Sequence, residues 1–557
     1  MPFEASLIGL VIEALREINP EVPIKSEEIR VSVPEDPSHG DFSTNAALKL
    51  ARFFGLPSME LGEKTVGVIR AKKPVFLDKV ELVSPGFINL FLSHQAFEQE
   101  LTDCLKAGGL KKEGAYGHNT MGEGKKVLVE FLSANPTGPL TIAHGRHAAC
   151  GDTIANLLEA SGYKVTREYY YNDRGRQMDI LGRSLRLRYL QLLGEKKRMF
   201  KDGYQGKYLE EIARRFIEKY RKAYAREEKD LTPFRRFAER DIWKGIKKDL
   251  SDFRVRFNSW IKETDFYKKG KVKEVLEQLK KEGLAYEQEG AIWFKSTKYN
   301  DEKDRVLVKS NGEMTYLLPD MAYHAFKYER GYERFLTILG PDHHGYIGRL
   351  QAGVKALGYD DKKLTIKILQ LVSLYRGKKK LRMSTRSGEF VTLRQVMDEV
   401  GVDATRFFLA MRGMDSHLDF DLELAKRESV ENPVYYIQYA HARICSIFKF
   451  ARENEVALKN ILKINLGLLN RKEETELLKK LSLYPEVVKK GAELLETQGL
   501  TGYLLELASL FHQYYNKYRF ITDDEELNQA RLALAEAIRI VLSQGLKLLG
   551  VKAPKKM

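Results

Sequence analysis

Apolar residues recur every three to four positions over 3–18, where Leu7, Leu10, Val11, Leu15 and Ile18 share one face, and this spacing predicts an amphipathic helix. The run EEIRVSVP reads as a strand. PEDPSHGDFSTNAALKLAR then predicts a turn and a helix from about Ser43, with Ser43 or Thr44 as its N-cap. KVELVSPGFINLFLS predicts two short strands around Pro85-Gly86. A small α/β unit over 1–110 is the expectation, followed at 108–126 by a glycine-rich polar stretch that reads as a linker or surface loop.

The pattern then changes. KVLVEFLSANP (126–136) reads as a buried strand, 145–162 as a helix and 164–173 as a second strand. Strand, helix, strand in this span predicts a βαβ unit and hence a parallel sheet. Residues 184–285 are helical in pattern and heavily charged. LAYEQEGAIWFKST is strand-rich with a turn at Glu289-Gly290, and apolar runs at 305–308, 335–339 and 365–372 read as the second half of the sheet. From about 425 no strand pattern remains. Ile538, Val541, Leu542, Leu546 and Leu549 make one face of a long helix, and a separate all-α bundle is expected.

Composition narrows the class. A chain of 557 residues exceeds a single core. No apolar run approaches the roughly 18–20 residues of a membrane helix. Leu7 to Leu15 is apolar, but Glu4 precedes it and Glu13 interrupts it, unlike a signal peptide. The three cysteines, Cys104, Cys150 and Cys445, lie far apart, which excludes a disulfide framework and a CxxC zinc pair and fits a reducing cytoplasm. A net charge of +16 points to a polyanionic partner, nucleic acid most simply, although a lysine-rich lineage gives the same balance.

Two segments carry candidate chemistry. PLTIAHGRHAACGD (139–152) joins the first strand of the βαβ unit to its helix. Ligands of open parallel sheets bind beyond the carboxyl ends of the strands, and a helix N-terminus presents free N–H groups to phosphate. Thr141 and His144 can each donate to a phosphate oxygen. Neither GxGxxG nor GxxxxGK[ST] occurs there, and the same residues read equally as an ordinary helix start with an incidental histidine. The second segment is GKKKLRMSTRSGEFVTL (377–393), in which Lys378, Lys379, Lys380 and Arg382 precede Met383-Ser384-Thr385-Arg386 and Gly388. A basic loop can stabilise charge on a leaving pyrophosphate; a solvated hairpin tip is the alternative.

Together these segments resemble the HIGH and KMSKS signatures of class I aminoacyl-tRNA synthetases. In chain order, EFLSANPTGPLTIAHGRHAACGD, REYYYNDRGRQM, DFRVRFNSW, NGEMTYLLPDMAYH, LGPDHHGY, RMSTRSGEFVTL, DSHLDFDLELAK and NPVYYIQYAHARI resemble the arginyl-tRNA synthetase family. HGDFSTNAALKLA resembles its N-terminal domain and LGVKAPKKM its C-terminus, so the resemblance spans essentially the whole chain. It implies a multidomain α/β protein. A tRNA-contacting α/β domain would occupy 1–110. A Rossmann-like catalytic domain would occupy 111–425, with a helical insertion at about 184–285. An anticodon-binding helical bundle would occupy 426–557. It implies a ligase that activates L-arginine with ATP and transfers it to the terminal adenosine of tRNA(Arg), releasing AMP and diphosphate. Mg²⁺ would come with ATP, with no tightly bound metal or organic cofactor, and the enzyme would be a cytoplasmic monomer with no membrane partner.

The resemblance also assigns residues. The HIGH-like motif runs Ala134, Asn135, Pro136, Thr137, Gly138, Pro139, Leu140, Thr141, Ile142, Ala143, His144. Thr141 stands where the family has its first histidine, and Thr385 where it has the second KMSKS lysine. Arg386, Arg382 or one of Lys378–Lys380 is expected to replace that lysine. The implied catalytic residues are His144, Thr141, Ser384, Arg386 and Lys380, and Gly145, Asp342, His344 and Met383 join Thr141, His144 and Ser384 around ATP. Glu130, Ser133, Asn135, Tyr316 and Asp320 are the implied arginine site, with Asp320 on the guanidinium and Asn135 on the α-amino end. A planar guanidinium suits carboxylates that a lysine ammonium would not satisfy. On the residues alone, Tyr316 reads equally as an ordinary core aromatic and Asp320 equally as a helix N-cap. Asp342, His343 and His344 have no Cys/His cluster near them in sequence, so no zinc site is expected. Tyr435, Gln438, Tyr439, His441 and Arg443 are the implied tRNA contacts, since RNA loops stack on aromatics, while any one tyrosine reads as bundle packing. Two rivals stand beside this reading: an RNA-binding relative whose Thr141 and Thr385 mark a decayed site, and a class I synthetase for another amino acid. The complete set of arginine-site residues argues against the first, and two carboxylates, costly to bury beside an apolar substrate, argue against the second.

Overall fold

The computed structural model describes residues 3–109, 116–226, 230–381 and 390–557. The first amphipathic stretch forms the helix Phe3–Ile18, with Leu7, Leu10, Val11 and Leu15 buried. It packs in a domain with helices Ala46–Phe54 and Ser58–Lys72 and an antiparallel sheet ordered Val31–Ser32, Phe42–Thr44, Phe87–Leu92, Leu77–Val83. The helix expected from Ser43 starts instead at Ala46 with Asn45 at the cap position. Ser43 and Thr44 belong to a three-residue strand, where the Ser43 hydroxyl donates to Asn89 Oδ1 at 2.8 Å. A strand this short has no periodicity to read.

The centre of the molecule is a five-stranded, wholly parallel sheet. Its strands in chain order are β1 (Lys126–Glu130), β2 (Lys164–Tyr171), β3 (Ser259–Lys262), β4 (Arg334–Leu339) and β5 (Leu364–Ile368), and the sheet order is β5-β4-β1-β2-β3. Helix α1 (Ile142–Ala160) crosses from β1 to β2, and helix α2 (Leu317–Glu329) precedes β4. From β1 the chain builds outward in one direction and then returns to build in the other, so the crevice between β1 and β4 is a switch point, where ligands of such sheets bind. An aromatic cluster seals the β1–β3 side: Phe131 lies 4.5 Å from Phe257 and Tyr169 stacks on Trp260 at 5.2 Å between ring centroids. The fully buried rings of Phe131 and Tyr169 each contribute on the order of 2–3 kcal/mol.

Two expectations change here. The span 184–285 is not wholly helical: β3 lies within it and completes the sheet, and the helices Arg176–Leu192, Lys207–Tyr220 and Thr232–Asp252 fill the interval between β2 and β3. Four residues between charged helices are too few to signal a strand. The run at 305–308 does not join the main sheet. Arg305–Val308 pairs with the hairpin Ala285–Gln288/Ala291–Phe294, whose predicted turn at Glu289-Gly290 has positive φ at both residues.

Beyond β5, Val372–Arg376 pairs antiparallel with Lys379–Lys380 and parallel with Leu418–Asp421. The basic segment thus leaves on a small hairpin, and Arg382, Met383, Ser384, Thr385 and Arg386 lie outside the described residues. The chain ends in a helical bundle that includes α3 (Pro433–Glu453) and the helices Lys472–Ser482, Tyr484–Leu494, Gln498–Lys517 and Glu525–Leu548. Ile538, Val541, Leu542, Leu546 and Leu549 are buried as their spacing predicts. Among the described residues no helix is long and apolar enough to cross a membrane.

Candidate active site

A cavity of about 670 Å³ opens at the switch point, walled by Glu130 at the end of β1 and Leu339 at the end of β4. Glu130, Ser133, Asn135, Tyr316 and Asp320, 190 residues apart at their extremes, all line it. Immediately after β1, Leu132 and Ser133 adopt positive φ (73° and 33°), a conformation costly for residues with side chains. The kink brings the Ser133 hydroxyl to Glu130 Oε1 at 3.0 Å and lets Ser133 Oγ accept the Tyr170 N–H at 3.3 Å. Asn135 donates to Gln177 Oε1 at 2.9 Å.

Glu130 is not a free acceptor. Its Oε2 receives the buried Lys327 ammonium at 2.5 Å and stands 3.3 Å from Thr337 Oγ1. Lys327 comes from the inner face of α2, and its charge cancels that of Glu130. Asp320 lies in the first turn of α2 rather than capping it, since the helix begins at Leu317 and Tyr316 occupies the cap position. Burial pushes the Asp320 carboxyl up to about 7. The carboxylates of Glu130 and Glu263 add to that rise, while the Tyr346 hydroxyl, donating to Oδ2 at 2.5 Å, and Lys327 oppose it. Glu263, just past β3, also faces the cavity and accepts the Tyr170 hydroxyl at 2.9 Å. Tyr316 is 71% exposed at the cavity edge and is not a core aromatic. Among the described residues neither Asp320 nor Glu263 makes an ion pair, although Arg305 and Arg349 also line the cavity, and the two carboxylates are positioned for a delocalised cation.

Thr141 is the N-cap residue of α1, and its backbone N–H donates to His144 Nδ1 at 3.0 Å, with the Thr141 hydroxyl 3.2 Å away. A ring nitrogen that accepts an N–H carries no proton, so the neutral His144 ring holds its proton on Nε2. Burial lowers the His144 pKa to about 4, which keeps the ring a neutral N–H donor at ordinary pH. His147, one turn on, is depressed to about 3 by burial, with His144, Arg146 and His343 adding to the shift. His343 lines the cavity, so the mouth of α1 and the cavity adjoin. Gly145 is buried, and a Cβ there would stand 2.7 Å from Leu393 Cδ1. The absence of a side chain at Gly145 admits Leu393. Asp342 is exposed in the turn Pro341–Tyr346 that follows β4, and His344 belongs to the same turn.

In the bundle, Tyr435 and Tyr439 stack at 6.0 Å on α3, and the Arg443 guanidinium lies over Tyr439 at 4.4 Å and Tyr515 at 4.7 Å. These side chains form a partly exposed aromatic–cation strip. Gln438 and His441 do not share it. Both are buried; Gln438 donates to Asp403 Oδ2 and to the Lys552 carbonyl, and His441 Nδ1 pairs with the Pro554 carbonyl at 2.8 Å. They hold the C-terminal segment against α3, which removes them from the RNA-facing set.

Lys327, Glu263, Tyr346 and Gln177 escaped sequence reasoning. Lys327 and His324 on the apolar face of MAYHAFKYE were the one legible signal, because a lysine on a buried face needs a partner. The partner itself is 197 residues away.

Residues 108–437 match the model of the class I (R) tRNA synthetase catalytic domain, 437–557 the DALR anticodon binding domain and 5–92 the arginyl tRNA synthetase N terminal domain. Fold and site together thus define a class I aminoacyl-tRNA synthetase. The arginine–tRNA ligase of Citrifermentans bemidjiense is 48% identical over 95% of this chain and 95% of its own, and that of Bacillus licheniformis 44% over 95% and 94%. The fold matches the Thermus thermophilus arginyl-tRNA synthetase across both full chains with a TM-score of 0.77 at 21% identity. The chain belongs to the arginyl-tRNA synthetase family.

Proposed function

We propose that the chain is an arginine–tRNA ligase. The arginine carboxylate attacks the α-phosphate of ATP, diphosphate leaves, and the arginyl group passes to the 2′-hydroxyl of the terminal adenosine of tRNA(Arg) with release of AMP. The observation that carries the reading is the pairing of a carboxylate cavity at the switch point with a neutral histidine donor at the adjoining helix mouth. Asp320 and Glu263 take the guanidinium. Ser133 and Asn135 take the α-amino end, with Glu130 held in place by Lys327. His144 donates from Nε2 to a phosphate oxygen, and Thr141 sets its tautomer. The family resemblance adds Met383, Ser384, Arg386 and Lys380 as the cover over the phosphates, with Asp342 and His344 toward the nucleoside. Little covalent chemistry falls to the protein; positioning and charge stabilisation supply the rate.

Mg²⁺ enters with ATP. Tyr435, Tyr439 and Arg443 meet the anticodon loop, and the domain at 1–110 meets another part of the tRNA. The catalytic unit is 111–425 and the anticodon-binding unit 426–557. The cysteine usage supports a cytoplasmic setting, and the family supports a monomer.

The test is aminoacylation of bulk tRNA with each of the twenty amino acids, ATP and Mg²⁺. Charging with arginine alone is expected. His144→Ala should lower kcat by about 100-fold or more, the scale for losing one transition-state donor, with KM for arginine little changed. If tRNA binds but no amino acid is charged, the chain is a non-catalytic RNA-binding relative.

A further inference from the structure

A second concavity, about 310 Å³, lies at the other end of the sheet. It adjoins Asn258, immediately before β3, whereas the active-site cavity adjoins Glu263, immediately after it. Three parts of the chain build it. Asp152 and Arg167 come from the βαβ unit, Arg254 and Arg256 from the segment that follows the helix Thr232–Asp252, and Lys547 from the last helix of the bundle.

The charges do not cancel. Arg167 is held by Glu159 at 2.5 Å and Asp152 at 3.4 Å, and Arg254 by Asp403 at 2.5 Å. Asp152 also carries Arg406, at 2.6 Å. Arg256 and Lys547 are exposed and have no acidic partner among the described residues. Four cations and one carboxylate, Asp152, line the cleft, and with the partners that hold them, Arg406, Glu159 and Asp403, five cations meet three carboxylates, an excess of two. A solvated surface would let two unpaired cations spread apart. Here both line one cleft, together with two arginines that are already held in ion pairs. Arg254 holds φ at +62°, the left-handed region that costs a residue with a side chain, and from there it pairs with Asp403 and the Gly550 carbonyl (2.9 Å). An excess of two positive charges, with an unengaged guanidinium suited to bidentate contact, matches a phosphate group better than a single carboxylate.

We propose that this cleft binds a phosphate group through Arg256 and Lys547, with Arg167 and Arg254 as its fixed floor, and that the bound anion ties the last helix of the bundle to the catalytic sheet. The phosphate comes either from free inorganic phosphate or diphosphate, or from the backbone of bound tRNA.

Arg256→Ala/Lys547→Ala, compared with the charge-keeping Arg256→Lys/Lys547→Arg, tests this in the full chain. Unchanged kcat for arginylation at saturating tRNA establishes that the catalytic site is intact, independently of the cleft. The melting temperature is then measured against inorganic phosphate and diphosphate at constant ionic strength, and tRNA affinity against salt. A saturable rise in melting temperature in the parent chain and the charge-keeping variant, lost in the alanine variant, identifies a free phosphate. No such rise, with tRNA affinity about tenfold weaker in the alanine variant and a log–log salt slope smaller by about 1, identifies a backbone phosphate. If the alanine variant matches the parent chain in both measurements, the proposal is overturned.

Discussion

Lys327 decides how many negative charges the switch-point cavity offers. With its ammonium at 2.5 Å, Glu130 is neutralised from within, and the demand for an external cation falls on Asp320 and Glu263. Breaking such a pair leaves a buried carboxylate unmatched, so Lys327→Met should cost about 3–5 kcal/mol, read from urea unfolding. Asp320 sets the pH behaviour. Its pKa is raised to about 7, so below pH 7 the unliganded site is largely protonated and an arriving guanidinium must displace a proton. KM for arginine should therefore fall by about tenfold per unit as pH rises toward 7 and level off above it. In Asp320→Asn that slope should vanish while KM stays high. A slope that persists in Asp320→Asn would assign the titration to another group. His144 contributes none of it, because its pKa of about 4 lies below the range assayed.

Helix α2 presents Asp320 correctly because two ion pairs dock it on the sheet. Lys327 reaches Glu130 on β1, and Arg330 at its C-terminal end forks onto Glu168 on β2 at 2.6 and 2.8 Å. Helix α1 is tied by Arg146, fully buried, whose guanidinium donates to the carbonyls of Gln370, Gly413 and Ser416 at 2.8–2.9 Å. Those carbonyls flank the small sheet from which the basic segment departs, so Arg146 links the helix with His144 to the base of that segment. Arg146→Met should lower stability by about 3 kcal/mol or more, since several buried carbonyls lose a charged donor at once. On α3 the two sides separate. Tyr439→Ala should raise KM for tRNA about tenfold, the scale of one lost base stack, with KM for arginine unchanged. His441→Ala should instead lower the melting temperature.

Three distant stretches meet at Arg406. Its guanidinium donates to Asp152 on α1 at 2.6 Å, to the Phe253 carbonyl at 2.8 Å and to the Leu549 carbonyl at 2.7 Å. A Cβ on Gly550 would stand 2.4 Å from Arg406 Cζ, so glycine is needed there for close approach, beyond its φ of +67°. Asp403 adds Arg254 on one side and Gln438 on the other. The bundle is thereby fastened to the catalytic sheet through buried charge. Arg406→Met should loosen that joint: limited proteolysis should release the bundle faster, and KM for tRNA should rise more than KM for arginine.

Part of this is legible in the amino-acid sequence. The helical face through Ile538 and Leu549, the βαβ unit and the Glu289-Gly290 turn follow from local periodicity and turn chemistry, which act over a few residues, whereas the residues from Glu130 to Asp320 are implied only by the family resemblance of ordered motifs, and the structure lines one cavity with them. What the sequence could not determine were choices made by partners far away. β3 is a strand because β2 offers it an edge, and Ser43 joins a strand because Asn89 lies opposite. Gln438 and His441 turn inward because the C-terminal carbonyls arrive there. Glu130 is neutral in effect because Lys327 is folded onto it from 197 positions along the chain. Periodicity reports which face of an element is buried. Only the closed tertiary structure reports what lies against it, because the cost of burying a polar group depends on the partner that meets it.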